Sequence, residues 1–537
     1  MPGSIRNFRD RTYSQSKRVS RPVVVMKSTR ACLAVLDFGT GGGKCVIFDH
    51  AGQRLSSIRH PWDFISVRSS HEELTPGFAF DPESMWNTLA RCTREAIDQA
   101  NLAPEEIVAV TSTSLRLGTV FLDRRKQEVY CAPNLDGRGF AGALELLDAV
   151  TRETIVSTTG HWPPFLSSAA RLITYQKEPT AEPVAHVLSL SDWLGYRLTG
   201  EITSELSNAG ESFLLDIAER RWSQELLEAA GISPSVLPPI SANGARIGSI
   251  HTAAAAATSL KSGTPVFLGG ADTQCALLGS GVVDPFEAGV VLGTTAPVMA
   301  ISDTPCVDLT GKVWAGCHVL PERWTLESNA GETGSAWDWI LDLLGIHGAD
   351  RYEVAENLMA EVTADDERDS AVVSFGHPQV FDLDQYNPHR MVGFGFRQSA
   401  FRGPVGPGRG QVLRSFLRNI AFAIRGNLEQ LEEKLPGPPN RCTLSGGMSR
   451  SRSLQVEIAR SLHLPLHLSA EPEATALGAA ILASVGVGLH GDRKAAVHEM
   501  VQVTVIPPDP ELRDAYDRQY AAWQEVFAAT KQVSFLP

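Results

Sequence analysis

Cysteine is scarce in this sequence: eight residues in 537, with no CxxC pair among them. That removes the usual zinc-site spacings and leaves no disulfide framework for a chain of this size, so a reducing compartment, the cytoplasm, is expected. Long apolar runs are missing too, and nothing approaches the roughly 20 uninterrupted residues that a membrane-spanning helix needs. The most apolar stretch, Ala474 to Leu489, is rich in alanine and glycine and reads as a closely packed helix and turn. Positive charge is also short. With 48 Lys and Arg against 61 Asp and Glu, the formal charge is −13, and a nucleic-acid binder would need a basic face. Neither a membrane nor a nucleic acid is expected as a partner.

The charge is uneven. Residues 1–30 hold eight Lys or Arg and one acid, so they carry +7 and the remainder −20. This basic lead lacks the apolar core of a secretory signal. It reads as a disordered extension, or as a start placed too early with Met26 as the true initiator; a mimic of an organelle transit segment also fits. A length of 537 residues exceeds one compact core and implies two to four domains.

What is present is a repeated phrase. The apolar run Leu33–Asp37 breaks at Gly39-Thr-Gly-Gly-Gly43, and a second β-rich run, Lys44–Phe48, follows. Two short runs around a glycine turn predict a hairpin. About 250 residues later, Gly289–Leu292 leads through Gly293-Thr294-Thr295 into Pro297–Ile301. One such phrase fits an ordinary hairpin, but two at a domain-length spacing indicate a duplicated α/β unit with paired loops on one cleft. Between and beyond them the patterns predict a helix over Glu83–Gln99 and a strand over Ile107–Thr111. Helical spacing returns in the later part of Val187–Leu198, and Gly263–Gly270 reads as turn, buried strand, turn. A further helix is expected over 413–434, a strand ending in glycines over Cys442–Gly447, and a loop over 402–410. Alternating strands and helices place the chain in the α/β class.

Three segments carry chemistry. In Asp37-Phe-Gly-Thr-Gly-Gly-Gly-Lys44, exposed amides and a hydroxyl suit phosphate oxygens and the lysine offsets their charge. An aspartate at a strand end suits hydrated magnesium, which keeps waters and uses few carboxylates. This is no Walker loop: Cys45 follows the lysine, and Phe38 stands where the first glycine would fall. A glycine-rich hairpin with a surface lysine fits the same residues. In Gly269-Gly-Ala-Asp272, the carboxylate sits between a buried strand and a helix, where it can accept the proton of an attacking hydroxyl; a plain helix N-cap fits as well. In Ser445-Gly-Gly-Met-Ser-Arg450 and Glu473–Ala480, small residues admit a flat base and ribose, and tight helix packing without a ligand is the other reading. A dinucleotide-binding turn is disfavoured, because Lys44 occupies the third glycine position after Gly39 and Gly41 and the following run is β-like.

In this order the segments resemble the FGGY carbohydrate kinases, of the superfamily that includes actin and hexokinase, over nearly all of residues 31–525. The carriers are Asp37-Phe-Gly-Thr with Lys44, Gly-Thr-Pro-Val before Gly-Gly-Ala-Asp272, Leu-Gly-Thr-Thr295, Ser-Gly-Gly447 and Glu-Ala-Thr-Ala-Leu-Gly478. The resemblance implies two ribonuclease-H-like domains with ATP and a small sugar or polyol in the cleft between them. It places the N-terminal domain at 31–283 and the adenosine-binding C-terminal domain at 284–537. By motif match, Asp37 would serve Mg2+, and Gly39, Thr40 and Lys44 the phosphates. Gly293, Thr294 and Thr295 would form the opposing phosphate loop, Gly446 and Gly447 would lie against adenosine, and Asp272 would be the general base.

Substrate contacts are implied at Arg116, Asp136, Arg138 and Asp272, with surface salt bridges as the other reading for the two arginines. Arg116 matches an arginine of glycerol kinase and autoinducer-2 kinase patterns, yet the glutamate that follows it there is Leu117 here. Leu117 removes one acceptor for a sugar hydroxyl, which favours a less hydroxylated ligand. The Met-His pair of xylulokinases is absent at this point. Leu190–Gly200 and Ser207–Gly210 look most like autoinducer-2 kinases and xylulokinase-like members, which implies a linear five-carbon ketose or related polyol. Met448 replaces a frequent third glycine of the adenosine motif and could narrow the base pocket. A non-catalytic sensor and an actin-like ATPase are the competing functions; the first predicts loss of Asp37 or Asp272, and both are present. A homodimer is compatible with the sequence.

Overall fold

The computed structural model describes residues 30–69, 75–363, 372–385, 392–396, 407–531 and 533. The basic lead therefore lies, apart from Arg30, outside the described residues. So does most of the expected 402–410 loop, whose end already belongs to the helix Arg409–Glu432.

Two mixed sheets organise the chain. The first runs in the order 246–249, 265–271, 107–114, 32–39, 42–49, 54–60, and the second 314–317, 324–332, 295–302, 287–291, 441–445, 466–469, 503–506. Each contains three neighbouring antiparallel strands that start with the strand before a Gly-Thr turn; in the second sheet the strand 314–317 intervenes in sequence and lies on the outer edge. In each, that first strand pairs in parallel with a later one, which pairs in parallel with a third, and an antiparallel edge strand follows. The repeated phrase is thus a repeated ribonuclease-H-like topology, as expected. The consequence for function is geometric. Parallel neighbours end at the same edge, and ligands of such sheets sit outside the carboxyl ends of the strands.

The first hairpin is tighter than its glycines suggest. Gly39 pairs with Gly42, so only Thr40 and Gly41 form the turn, and Gly42 and Gly43 continue into the second strand. Asp37 is thereby directly opposite Lys44, with both side chains on one face. Phe38 points to the other face, fully buried against Trp62, Phe80 and Trp193 with ring centroids 4.5, 5.4 and 6.1 Å away. Burying such a ring contributes roughly 1.5–3 kcal/mol, so the residue that breaks the Walker pattern is the anchor of the loop.

The two halves meet where the helix Asp272–Gly279 crosses the helix Ala474–Gly486. A Cβ on Gly279 would lie 1.9 Å from the Ala474 carbonyl oxygen, and one on Gly478 would lie 1.9 Å from that of Cys275. Only glycine permits this approach, so helix packing accounts for the Ala/Gly run. One hydrophobic cluster is shared by both halves: it joins Leu33, Val35 and Phe48 to Leu277, Met299 and Ala480. All eight cysteines are unpaired, and among the described residues no helix is long and apolar enough to cross a membrane.

Candidate active site

Three parallel strands of the first sheet, 32–39, 107–114 and 265–271, end together and deliver Asp37, Arg116 and Asp272 to one edge. Asp37 is 8% exposed. The Lys44 ammonium lies 3.5 Å from its Oδ2 and donates to Glu473 Oε2 at 2.6 Å, while the Ser57 hydroxyl donates to Glu473 Oε1 at 3.3 Å. Glu473 stands at the start of the Ala474–Gly486 helix, so this ion pair ties the two halves. Burial pushes the Asp37 carboxyl up; Lys44 opposes the rise and Glu473 adds to it. For Lys44 burial works downward, and the two carboxylates outweigh it and hold the ammonium above its ordinary range.

Asp272 is the first residue of its helix; Ala271 holds the capping position and makes no side-chain cap. The N-cap alternative is therefore not what the structure shows. Its Oδ1 accepts the Thr273 amide at 2.8 Å. Burial pushes the carboxyl up to about 7; Arg116 and the Thr273 amide oppose the rise, and Asp37 and Glu211 add to it. The strand end beneath is braced by buried polar groups. The Gly270 carbonyl accepts from Thr113, the Ala271 amide donates to Ser207 Oγ, and Asn243 bridges the Gly269 carbonyl and Glu205.

In the second sheet the parallel strands 287–291 and 441–445 likewise end side by side. The loop Leu292–Thr294 is fastened from behind: the Gly293 and Thr294 carbonyls accept from Thr333 and Gly334. Thr294 and Thr295 remain exposed. Gly446 adopts φ +88°, and a Cβ there would stand 2.4 Å from the Leu292 carbonyl oxygen. The adenosine candidate Gly446 thus lies directly against Leu292, the residue before the Gly293–Thr295 loop, while Gly447 has open space where a side chain would stand; the Met448 amide donates to that same carbonyl at 3.2 Å. The Met448 side chain packs on the hydrophobic core of the second half.

On the acceptor side, Arg116 makes a bidentate pair with Glu327, Nη1 to Oε2 at 2.6 Å and Nη2 to Oε1 at 2.9 Å, and reaches Glu211 Oε1 at 3.3 Å. Glu327 belongs to the second sheet, so this is another contact across the two halves. Asp136 and Arg138, expected at the sugar, are engaged with protein instead. Asp136 is fully buried, and its carboxylate accepts from the Phe78 amide, the Tyr130 hydroxyl and the Arg138 amide and Nε, with Arg171 3.4 Å away. No lone pair is left facing a ligand, and Arg138 lies over the Tyr130 ring at 4.2 Å. The fully buried Arg171 joins this cluster to the acceptor side by donating to the carbonyls of Pro133, Asp136 and Leu117.

A model of the N-terminal domain of the FGGY family of carbohydrate kinases matches residues 32–279, and one of its C-terminal domain matches residues 288–487. The chain belongs to this family. It is 28% identical over 516 residues to the autoinducer-2 kinase of Escherichia coli strain K12, covering 94% of this chain and 95% of that protein. Its fold matches the xylulose kinase of Rhodospirillum rubrum with a TM-score of 0.79 at 24% identity, over 93% of this chain and 98% of that one. The gluconate kinase of Lactobacillus acidophilus matches with a TM-score of 0.80 at 17% identity, over 94% and 99% of the two chains. At those identities the two structures speak for the fold.

This FGGY kinase is an ATP-dependent enzyme that phosphorylates a small sugar or polyol. Among its described residues no three His, Cys, Asp or Glu side chains converge on a metal position. Asp37 stands close enough to Asp272 for its charge to raise that carboxyl, so the edge carries two hard oxygen donors of the kind magnesium takes. Sequence reasoning missed Glu211, Glu327, Arg171 and the pairing of Glu473 with Lys44. Glu473 had been visible as the first letter of a motif; the other three carried no local signal.

Proposed function

We propose that the acceptor is an uncharged linear five-carbon ketose or related polyol, and that Asp272 is the general base. Its carboxylate takes the proton of the substrate hydroxyl as that oxygen attacks the γ-phosphorus, and the bond to the β-phosphate oxygen breaks to release ADP. The observation that carries this reading is Asp272 on the edge shared with Asp37 and Arg116, with its carboxyl raised to about 7. A base with that affinity ionises near neutrality and still binds a proton well. Gly39, Thr40 and Lys44 hold phosphate oxygens from one side, and Gly293, Thr294 and Thr295 from the other. Gly446 and Gly447 face adenosine, and Asp37 would hold Mg2+, which when bound supplies charge neutralisation on the phosphates.

Lys44 exchanges Glu473 for a phosphate when nucleotide enters, and closure of residues 31–283 on 284–537 excludes water. The autoinducer-2 kinase relationship supports a five-carbon ligand, and the eight free thiols suit the cytoplasm. The test is ADP release over pentuloses, tetritols, glycerol and dihydroxypentanedione, with Asp272→Asn as control. Rates should rise with a five-carbon ketose; a strong preference for glycerol would overturn the substrate class. A rate indifferent to every acceptor would point to an ATPase.

A further inference from the structure

A second cation stands beside the first glycine loop, outside every motif that the sequence offers. In the register of the first sheet Asp37 faces Lys44, and Lys44 in turn faces Arg59, so the three side chains share one face. Ser57, two positions earlier on the same strand, donates to Glu473 from that face, so the row looks onto the second half of the chain. Arg59 is exposed, and its Nη2 donates to the Gly41 carbonyl at 2.6 Å. A Cβ on Gly41 would lie 3.1 Å from that nitrogen, and one on Gly42 would lie 3.2 Å from Arg59 Nε. The guanidinium therefore rests directly against the Thr40–Gly41 turn.

The neighbouring charges leave work for a further cation. The Lys44 ammonium stands between two carboxylates, 2.6 Å from Glu473 and 3.5 Å from Asp37. With both acids ionised, those three side chains together are negative, and a triphosphate would add several more negative charges. Arg54, on the same strand as Arg59, is paired with Glu471 at 3.2 Å, and Arg116 is taken up by Glu327 and Glu211. Arg59 differs from these arginines. Among the described residues its partner is a carbonyl and no carboxylate, so Nη1 and Nε keep their donors. It is also close enough to be felt at Asp37, where burial raises the carboxyl and Lys44 and Arg59 oppose the rise.

We infer that Arg59 is a phosphate-binding residue of this kinase: the Gly41 carbonyl holds its guanidinium at the turn, and its free N–H groups donate to phosphate oxygens of ATP alongside Lys44. The inference rests on the placement of the phosphates at Gly39, Thr40 and Lys44 proposed above. Arginine suits the position, because a rigid fork can hold a carbonyl with one arm and present the others to a phosphate, whereas a lysine offers a point charge.

The experiment measures ATP binding by calorimetry in the intact enzyme with Mg2+ present. It compares wild type, Arg59→Met, Arg59→Gln and Arg59→Lys, with Lys44→Gln as the control on phosphate placement; acceptor KM and thermal midpoint are recorded alongside. Arg59→Met keeps the apolar stem and removes the charge, so the Kd for ATP should rise about tenfold to a hundredfold. Arg59→Gln keeps an NH2 donor for the Gly41 carbonyl without the charge and should lose as much. Arg59→Lys should recover part of the loss, and acceptor KM should stay within about twofold in all three. The fall of ATP affinity with ionic strength should be shallower in the two uncharged variants, a change that support of the turn alone would not produce.

Recovery by glutamine equal to that by lysine would overturn the inference in favour of turn support. So would a parallel loss of ATP affinity, acceptor affinity and thermal midpoint. ATP affinity unmoved in the three Arg59 variants, but weakened by Lys44→Gln, would overturn the inference alone. ATP affinity unmoved by Lys44→Gln would bring down the phosphate placement and this inference together.

Discussion

Asp272 makes a demanding prediction, because its environment specifies a pH. Burial is the largest influence raising the carboxyl from its ordinary 3.8 to about 7, with Asp37 and Glu211 adding and Arg116 opposing. The base works as the carboxylate. At pH 6 about a tenth of the molecules would hold it ionised, and at pH 8 about nine tenths, so kcat/KM for the acceptor should climb close to tenfold per pH unit below 7 and level off above it. Asp272→Asn keeps the shape and removes the proton acceptor, so turnover should fall by about a hundredfold to ten-thousandfold. ATP affinity should change little, since the side chain lies on the acceptor edge. The residual activity of the variant should also lose the inflection near pH 7. The assay is coupled ADP release across pH 5.5–8.5 for both proteins, with nucleotide affinity by calorimetry. A flat wild-type profile between pH 6 and 8 would refute the assignment, as would an asparagine variant that loses ATP binding as much as turnover.

Other substitutions read other parts of the molecule. Gly446→Ala forces a side chain into a glycine-only conformation against the Leu292 carbonyl, costing about 1–3 kcal/mol; the KM for ATP should rise while that for the acceptor holds, and a wild-type KM for ATP would count against the adenosine site. Arg171→Met removes one of the two guanidiniums that face the buried Asp136 carboxylate and strips the donor from the Pro133, Asp136 and Leu117 carbonyls, which should lower stability by about 3–5 kcal/mol in chemical denaturation; a loss below about 1 kcal/mol would show that Arg171 does not hold the cluster. Glu473→Gln removes the carboxylate that competes with phosphate for Lys44, so ATP should bind more tightly in calorimetry while the thermal midpoint of the nucleotide-free protein falls slightly; weaker ATP binding would mean that Glu473 positions the lysine for phosphate.

The amino-acid sequence determined what local chemistry can determine. Gly-Thr turns between apolar runs make hairpins wherever they occur. A buried strand running through small residues into Asp272 puts that carboxylate at a strand–helix junction, and the order of these segments identifies the family. The tight Thr40–Gly41 turn was nearly legible as well, since only register, and not composition, separates it from a longer glycine loop. What tertiary structure alone decided was who faces whom. Lys44 meets Glu473 across 429 residues and Arg116 meets Glu327 across 211; ion pairs formed between separate halves leave no periodicity or spacing to read. Asp136 shows the same limit from the other side. Its Asp-x-Arg pattern suits a sugar site, and only the fold brings Phe78, Tyr130 and Arg171 around it to fill its lone pairs. A motif names the group that is available, and packing decides whether any of its hydrogen-bonding capacity is left for a ligand.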